Sequence, residues 1–251
     1  MRETSYARVR ETDWEVAVLP WGATEAHNLH LPYGADTLEA TAIAEAAAGI
    51  AWAAGAGVVA LPAVPFGVNT SQLDIPLTIN MSPTTLFAVL RDVVRSLQAQ
   101  GVRKLVVLNA HGGNDARWMI RELLGEGGSE RAGGGPGMFL CAIDFWTVLD
   151  LSQYFDEPGD HAGELETSLL LHLAPKLVED RDVWGVGAAR PPSLEALRAG
   201  WAWTPRPWTR VTDDTGVGNP GAATAEKGRR FFQDVSAEIG RFLADLAKAD
   251  P

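Results

Sequence analysis

The sequence contains little cysteine and no cluster of basic residues. Its 251 residues include one cysteine, Cys141, which excludes an internal disulfide and fits a reducing compartment, so we expect a cytoplasmic protein. The apolar neighbours of Cys141 predict a buried strand thiol rather than a nucleophile. An excess of 32 Asp and Glu over 21 Lys and Arg gives a net charge of −11. This charge argues against nucleic acid and anionic membrane as partners. The expected partner is a small-molecule substrate.

Signals for export or membrane insertion are also missing. The polar N-terminus has no apolar segment of the kind that secretory signals contain. One apolar stretch, residues 46–68, is long enough to cross a bilayer. It consists largely of Ala and Gly and includes Pro62 and Pro65. We therefore interpret it as a helix end, a turn and a buried strand.

Short apolar runs alternate with longer helical patterns along the chain. This alternation, without hairpin signals, predicts an α/β fold whose parallel sheet is covered by helices on both faces. The predicted strands are residues 16–19, 58–61, 105–108 and 138–143, and the predicted helices are residues 37–54, 83–100, 115–124, 162–173 and 224–247.

Two segments lie outside this alternation. The Gly-rich residues 125–137 are typical of a surface loop. Residues 183–220 are rich in Trp and Pro, and we interpret them as a long excursion that packs on the active-site side or at a subunit contact. With no internal repeat and no long linker, we expect a single domain over residues 1–251.

The first polar motif, TEAHNLHLPYGAD, directly follows the strand at residues 16–19. Glu25 and His27 are two residues apart, so in extended backbone their side chains point the same way. Asp36 comes just before the next predicted helix. Carboxylate and imidazole groups suit Zn²⁺ or Mn²⁺. The alternative remains open that Asp36 only caps the helix and Glu25 is a solvated loop residue.

The second motif, NAHGGN, follows the strand at residues 105–108 and contains His111. Its glycines, Gly112 and Gly113, allow the backbone to approach a ligand closely, and Asn114 could cap the next helix. A Gly-rich turn before a helix could instead bind phosphate, although the glycine spacing matches neither usual phosphate loop.

The third motif, HAGELETS, opens the predicted helix at residues 162–173. His161 and Glu164 are one helical turn apart, whereas Glu166 is expected to face elsewhere. An acidic helix start that only favours the helix dipole is the alternative. His172 lies among leucines, and we expect it to be a packed residue.

Together the three motifs resemble those of the creatininase (creatinine amidohydrolase) family, and a fourth stretch, GVGNPGAATAEKG, resembles its C-terminal signature. The resemblance covers about residues 16–243. It implies a three-layer α/β/α fold with a mainly parallel sheet. It also implies two divalent metal ions, Zn²⁺ and/or Mn²⁺, and a homo-oligomer, usually a hexamer built as a trimer of dimers.

The resemblance further implies which residues form the site. The metal ligands would be Glu25, His27, Asp36, His111 and Glu166, with Asp36 as the bridging carboxylate. His161 and Glu166 would act on the catalytic side. Creatininase has an aromatic residue and a glutamate at the positions of Gly112 and Gly113, and Glu166 is assigned to the ligand position that this leaves open.

Substrate-binding residues are expected beside these ligands. A polar loop after the strand at residues 58–61 should reach the same sheet edge, and its neutral side chains suit a polar, uncharged substrate. The expected substrate contacts are Asn69, Thr70, Ser71, Gly112, Gly113 and Asp160. Because the two glycines replace bulkier groups, we expect a roomier pocket and slow hydrolysis of creatinine itself.

The sequence thus predicts a binuclear metal-dependent hydrolase that cleaves a non-peptide C–N bond in a cyclic amide or a formamide. A metal-bridged hydroxide would attack the carbonyl, and His161 would pass a proton to the leaving nitrogen. Three alternatives remain. They are a peptidase in the maturation of a peptide-derived cofactor, a hydrolase that opens a cyclic ketone, and a non-catalytic scaffold stabilised by metal.

Overall fold

The computed structural model describes residue 1, residues 3–126 and residues 137–250. Its four strands are β1 (Val16–Trp21), β2 (Val58–Ala60), β3 (Lys104–Asn109) and β4 (Phe139–Asp144). Its α-helices are α1 (Tyr6–Val9), α2 (Ala35–Ala53), α3 (Pro83–Ala99), α4 (Ala116–Glu126), α5 (Glu164–Leu173), α6 (Glu195–Arg198), α7 (Trp208–Val211) and α8 (Ala225–Lys248). The four predicted strands and five predicted helices are confirmed, whereas the one-turn helices α1, α6 and α7 were not predicted.

The strands form one parallel sheet in the order β2-β1-β3-β4, which confirms the predicted pairing direction. The chain moves from β1 to β2 on one side and then crosses to β3 on the other side of β1. The crevice between the carboxyl ends of β1 and β3 is therefore the topological switch point, where open α/β sheets bind ligands. Trp21 and Asn109 are paired in register at this edge.

Helices cover both faces of the sheet and give the predicted three-layer α/β/α architecture. The side chains of β1 alternate between two cores. Val16 and Val18 belong to one core, which contains residues of α2, α5 and α8. Ala17 and Leu19 belong to the other, which contains residues of α3 and α4. All six residues of β1 are buried, as expected for a central parallel strand.

Some element boundaries differ from the prediction. Helix α2 begins at Ala35, so Asp36 lies inside its first turn and does not precede it. Helix α5 begins at Glu164 rather than two residues earlier, because Ala162 has a φ of +50° and Gly163 is extended. Asp115, and not Asn114, accepts a hydrogen bond from the first turn of α4, from Arg117 N at 3.0 Å.

Other expectations can be compared directly. Cys141 is a free, half-buried thiol on β4, and burial raises its pKa to about 11, which fits the expected inert residue. The apolar stretch at residues 46–68 contains the end of α2, a turn and β2, as predicted. Among the described helices, none has the length and apolar character needed to cross a membrane. Of the expected loop at residues 125–137, the first two residues extend α4, and residues 127–136 lie outside the described residues.

One long-range contact fixes the last helix against the sheet. Lys104, at the start of β3, donates hydrogen bonds from Nζ to the carbonyls of Leu246, Ala247 and Ala249 at 2.9, 2.8 and 2.6 Å. An ammonium group at this position satisfies the unpaired carbonyls at the C-terminus of α8 and complements its dipole.

We expect Lys104→Met to lower the free energy of unfolding by about 1–2 kcal/mol, because these charge-assisted hydrogen bonds are lost. Lys248→Met is the control, since it removes the same charge from the same helix end and should cost less than about 0.5 kcal/mol. Urea unfolding of both variants measures the difference. Equal effects would mean that only the charge matters and not the hydrogen bonds.

Candidate metal centre

The three polar motifs meet at the switch point. Glu25 and His27 follow β1, His111 follows β3, Asp36 lies in the first turn of α2, and Glu166 lies on α5. The first four are buried, with at most 7% of each residue exposed. The open alternative that Glu25 is a solvated loop residue is therefore wrong. Asp36 is not a cap either, since the residue before α2 is Gly34 and no side chain caps that helix.

The histidines each use one ring nitrogen to bind the backbone. His27 Nδ1 lies 3.1 Å from the carbonyl oxygen of Glu25, and His111 Nε2 lies 3.1 Å from the carbonyl oxygen of Val68. Because a carbonyl only accepts, these nitrogens donate, and the other nitrogen of each ring is left as a lone-pair donor. This arrangement is typical of metal-binding histidines, whose second nitrogen is oriented by a backbone or carboxylate acceptor.

Asp36 faces both of these histidines with different oxygens. Its Oδ1 lies 2.7 Å from His27 Nε2, and its Oδ2 lies 3.2 Å from His111 Nδ1. Glu25 Oε1 also lies 2.8 Å from His111 Nδ1. A carboxylate that presents one oxygen to each of two ligand groups has the geometry of a bridging ligand.

The donor atoms form groups compact enough to bind cations. Glu25, Asp36 and His111 form one group and His27, Asp36 and Glu166 form another, with donor atoms within 4.8 Å of one another in each. Asp36 belongs to both groups. Glu25 Oε1, His27 Nε2 and Asp36 Oδ2 make no hydrogen bond although they are buried. Buried polar atoms that converge without hydrogen bonds fit a divalent cation, so these residues suit the metal ions that the sequence predicts.

The charges of the cluster shift the pKa values of its members strongly. Burial opposes protonation of His27, but the nearby charge of Asp36 raises the pKa of its imidazole to about 10. For Asp36, burial alone would raise the pKa of the carboxyl group, yet the adjacent imidazoles of His27 and His111 hold this pKa well below its usual range. The carboxylate of Asp36 therefore stays ionised, whereas burial raises the pKa of Glu166, and the negative charge of the cluster attracts protons or metal ions.

His161 lies beside the cluster on a turn that the fourth motif holds in place. Its backbone N–H donates to the carbonyl of Val217 at 2.9 Å, and the N–H of Val217 donates back to His161 at 2.8 Å. The ring nitrogen Nε2 lies 2.8 Å from the carbonyl of Ala26 and donates to it. Nδ1 then faces Glu25 Oε1 at 3.9 Å, and Glu25, His27 and His161 form a third possible ligand group.

The two glutamates of the third motif lie in different environments, and Glu166 is the one in a ligand group, which is the position that the family resemblance assigned to it. The carboxylate of Glu164 is buried away from the cluster, where it pairs with Lys227 and accepts a hydrogen bond from Glu157 N at 2.8 Å. Glu166 instead joins the ligand group and accepts a hydrogen bond from Ala162 N. The expectation that His161 and Glu164 lie one turn apart on the same helix was wrong, because His161 precedes α5.

Two buried residues near the cluster were not predicted. Gln72 donates a hydrogen bond from Nε2 to Glu25 Oε2, which leaves Oε1 of that carboxylate for His111. Glu39, one turn after Asp36 on α2, is buried, neither of its carboxylate oxygens has a hydrogen bond, and burial raises its pKa well above the usual value. The position of Glu39 one turn after Asp36 was the sequence signal that could have identified it.

The expected substrate loop lines a cavity of about 530 Å³ that opens beside the cluster. Thr70 and Ser71 contribute to its wall. Asn69 also lines it, but its amide nitrogen donates to the carbonyls of Ile79 and Thr24 at 3.0 and 3.4 Å. The principal role of the Asn69 side chain is therefore to fix the loop.

The opposite wall of this cavity is formed by residues 203–208 of the Trp- and Pro-rich excursion. Trp203, Arg206 and Trp208 line the cavity together with Asp160 and His161. Of the two locations expected for the excursion, the side of the candidate site is therefore supported for residues 203–208. The sequence did not identify Arg206, since a single arginine among prolines and tryptophans carries no recognisable pattern.

The two glycines after His111 differ in what surrounds them. A side chain at Gly112 would meet no atom within 4 Å. A Cβ at Gly113 would lie 2.2 Å from the carbonyl oxygen of Val68 and 2.5 Å from His111 Nε2. The expectation of a roomier pocket is thus supported at Gly112 but wrong at Gly113, where the space is filled by the backbone that orients His111.

The fold and the site together define this chain as a three-layer α/β protein with a candidate metal centre at the topological switch point. Within that class, the chain belongs to the creatininase family, because the creatinine amidohydrolase profile of this family matches residues 2–243. Family members are metal-dependent amidohydrolases, and the chain is an enzyme of this kind.

Several named proteins are similar to the chain. It is 32% identical to a mycofactocin precursor peptide peptidase of Mycobacterium ulcerans, over 92% of this chain and 86% of that protein. It is 29% identical to a creatinine amidohydrolase of Pseudomonas putida, over 90% of this chain and 87% of that protein. A crystal structure from Bacteroides fragilis, provisionally assigned as a creatinine amidohydrolase, is 38% identical, with a TM-score of 0.91 and coverage of 99% and 96%.

The structure of a manganese form of creatininase shares the fold, with a TM-score of 0.81 at 23% identity over 100% of this chain and 98% of that one.

The contrast between the two glycines gives a test of how His111 is held. We expect Gly113→Ala to lower the free energy of unfolding by about 1–3 kcal/mol and to displace His111, because the new methyl group overlaps the Val68 carbonyl. Gly112→Ala is the matched control and should leave stability within about 0.5 kcal/mol. Thermal unfolding and metal content of both variants provide the measurement. A Gly113→Ala variant as stable as the control would contradict the packing described above.

Proposed function

We propose that this protein is a two-metal hydrolase that cleaves an amide C–N bond. The observation that carries this proposal is the position of Asp36, whose two oxygens face His27 and His111 in two different ligand groups. One metal ion would be held by Glu25, Asp36 and His111, and the other by His27, Asp36 and Glu166. Zn²⁺ and Mn²⁺ suit this mixed set of carboxylates and imidazoles.

The chemistry of such a centre fits amide hydrolysis. Two divalent ions about 3.5–4 Å apart supply an acidified water and a Lewis acid for the carbonyl. The residues of this chain would hold that centre in a buried position. Three carboxylates would balance most of the positive charge, and Gln72 and the backbone carbonyls fix the orientation of the ligands. Preorganised electrostatics of this kind contribute most of the rate enhancement in many enzymes.

His161 is the proposed proton donor for the leaving nitrogen. It lines the cavity, and the hydrogen bond from its Nε2 to the Ala26 carbonyl directs Nδ1 toward the site. Imidazoles serve as general acids and bases in many hydrolases. The alternative is that His161 is a third ligand beside Glu25 and His27, as its distance to Glu25 also allows. Glu166 would then carry the proton.

The substrate is proposed to be a small amide, such as a cyclic amide or a formamide. A second candidate is a short peptide, as in the maturation of a peptide-derived cofactor. The cavity of about 530 Å³ favours this candidate, since it exceeds the needs of a single small ring. The names of the mycobacterial relatives point the same way. Ring opening of a cyclic ketone would need the same centre.

The remaining parts of the proposal concern assembly and location. A homo-oligomer, with a hexamer as trimer of dimers, follows from family membership, and exposed apolar side chains such as Leu73 and Leu77 are available for subunit contacts. A cytoplasmic location is consistent with the single cysteine. A metal-stabilised scaffold without activity is the opposing hypothesis, and it predicts bound metal without hydrolytic turnover.

The metal centre can be tested through its bridging ligand. We expect about two divalent ions per chain in the purified protein, and Asp36→Asn should lose the most metal of any single ligand variant because Asp36 serves both ions. Asp160→Asn is the control, since Asp160 lines the cavity but belongs to none of the ligand groups. Elemental analysis after extensive dialysis measures both. Active wild-type protein without metal would disprove the proposal.

The role of His161 is tested separately. We expect His161→Ala to keep its metal and its thermal stability while turnover falls by roughly 10²–10⁴, the usual loss when a general acid is removed. Turnover on a panel of small lactams and formamides, measured with metal content on the same samples, separates the two roles. Loss of metal from the variant would identify His161 as a ligand instead.

A further inference from the structure

A second cavity lies beside the candidate metal centre and shares part of its lining with the larger cavity. It has a volume of about 250 Å³ and is lined by Glu166 of the candidate centre and by apolar side chains that include Phe145, Trp146, Leu151 and Leu165. Gly112, Asp160 and His161 line both this apolar cavity and the larger one. The two cavities therefore meet at the proposed catalytic residue.

Gly112 lines both cavities and has no side chain. A Cβ built on it would meet no atom within 4 Å, so the space on that side is open. The backbone of Gly112 is not in the left-handed region, so no turn geometry requires a glycine there. The glycine therefore contributes no side-chain atom to the wall that the two cavities share.

The far wall of the larger cavity presents a fixed positive charge. Among the described residues that line it, Arg206 is the only lysine or arginine. Its guanidinium stacks on Trp208, 4.6 Å from the ring centroid, and pairs through Nη1 with the carboxylate of Asp160. An arginine held in this way by an aromatic ring and one carboxylate keeps other N–H donors for a second carboxylate.

The surrounding charge of this cavity is negative, so an anion needs a nearby cation, and Arg206 is the arginine available in its wall. The chain carries a net charge of −11, and the cavity wall also contains Glu25 and Asp160. An anionic ligand in this cavity therefore depends on a local cation rather than on the general field of the protein. The edge of Trp208 also contacts the His161 ring at 5.1 Å between centroids, so Arg206 is connected to the proposed proton donor by one side chain.

We infer that the two cavities are the two ends of one substrate site, which takes an amide with a carboxylate on one side and an apolar group on the other. Arg206 binds the carboxylate, and the cavity around Trp146 takes the apolar group, so that the amide bond lies at His161 and the metal centre. N-acylated amino acids have this chemistry. This inference rests on the proposed function and specifies its substrate class, replacing the uncharged substrate that the loop residues suggested.

Binding is tested with a ligand that cannot be hydrolysed. The probe is 4-oxononanoate, a ketone in which CH₂ replaces the amide N–H of N-hexanoylglycine. Its neutral counterpart is 1-hydroxynonan-4-one, in which a CH₂OH group replaces the carboxylate. We expect Arg206→Gln to weaken binding of the acid about 10- to 100-fold and to leave the alcohol unchanged. Arg210→Gln is the matched control, because Arg210 is exposed in the same segment but does not line the cavity.

Two further measurements keep the test specific. Asp160→Asn removes the carboxylate that competes for Arg206, so we expect it to tighten binding of the acid and not of the alcohol. Shortening the probe to 4-oxopentanoate should weaken binding roughly threefold or more for each methylene group that enters the apolar cavity. Calorimetric titration of the protein as purified, with thermal unfolding of each variant, provides the data.

The outcomes separate this inference from the proposed function. Equal affinity of the wild type for acid and alcohol, or an unchanged affinity in Arg206→Gln, would overturn the carboxylate subsite. An affinity independent of chain length would overturn the apolar subsite. Hydrolysis of N-hexanoylglycine in preference to N-hexanoylethanolamine would support both proposals. Binding as expected without cleavage of N-hexanoylglycine would contradict amide hydrolysis and leave the two subsites standing.

Discussion

The burial of several carboxylates and imidazoles at one edge of the sheet is the constraint on which the rest of the site depends. Charged groups at this depth are stable only when opposite charges or hydrogen bonds compensate them. The ligand groups compensate one another around Asp36, and three donor atoms still lack hydrogen bonds. A centre of this composition is most stable with cations bound, so metal binding and the integrity of the site are linked.

The surrounding structure serves to hold these charges in one orientation. The histidine rings are fixed by hydrogen bonds to backbone carbonyls of the segments that follow β1 and β2, and Glu25 is fixed by Gln72. Asn109 and Asn114 tie the ends of the strands together, with Asn114 donating to the Gly22 carbonyl and to Asn109 Oδ1 at 3.2 Å each. Side chains fixed by such hydrogen bonds need little reorganisation when a cation binds, which reduces the cost of organising the centre.

The third and fourth motifs form a single structural unit at the edge of the cavity. The Cα of Gly159 lies where a side chain at Gly218 would be, and the close approach of these two backbones allows His161 and Val217 to exchange hydrogen bonds. Gly218 also has a φ of +138°, which favours glycine. The fourth motif thus contributes no ligand, and its role is to place the turn that carries His161.

The sequence by itself determined the parallel α/β architecture and the four strands, because short apolar runs that alternate with amphipathic helices have few other solutions. It also determined which motifs lie at the carboxyl edge, since each of the first two directly follows a strand. The family resemblance already assigned Glu166 to the ligands. Only the tertiary structure decided that His161 and Glu164 do not share a helical turn, because Ala162 is left-handed and Gly163 is extended, which delays the start of α5. It likewise decided that Arg206 reaches the cavity: an irregular segment has no period from which the direction of a side chain could be read, and its path is set by the surface on which it packs.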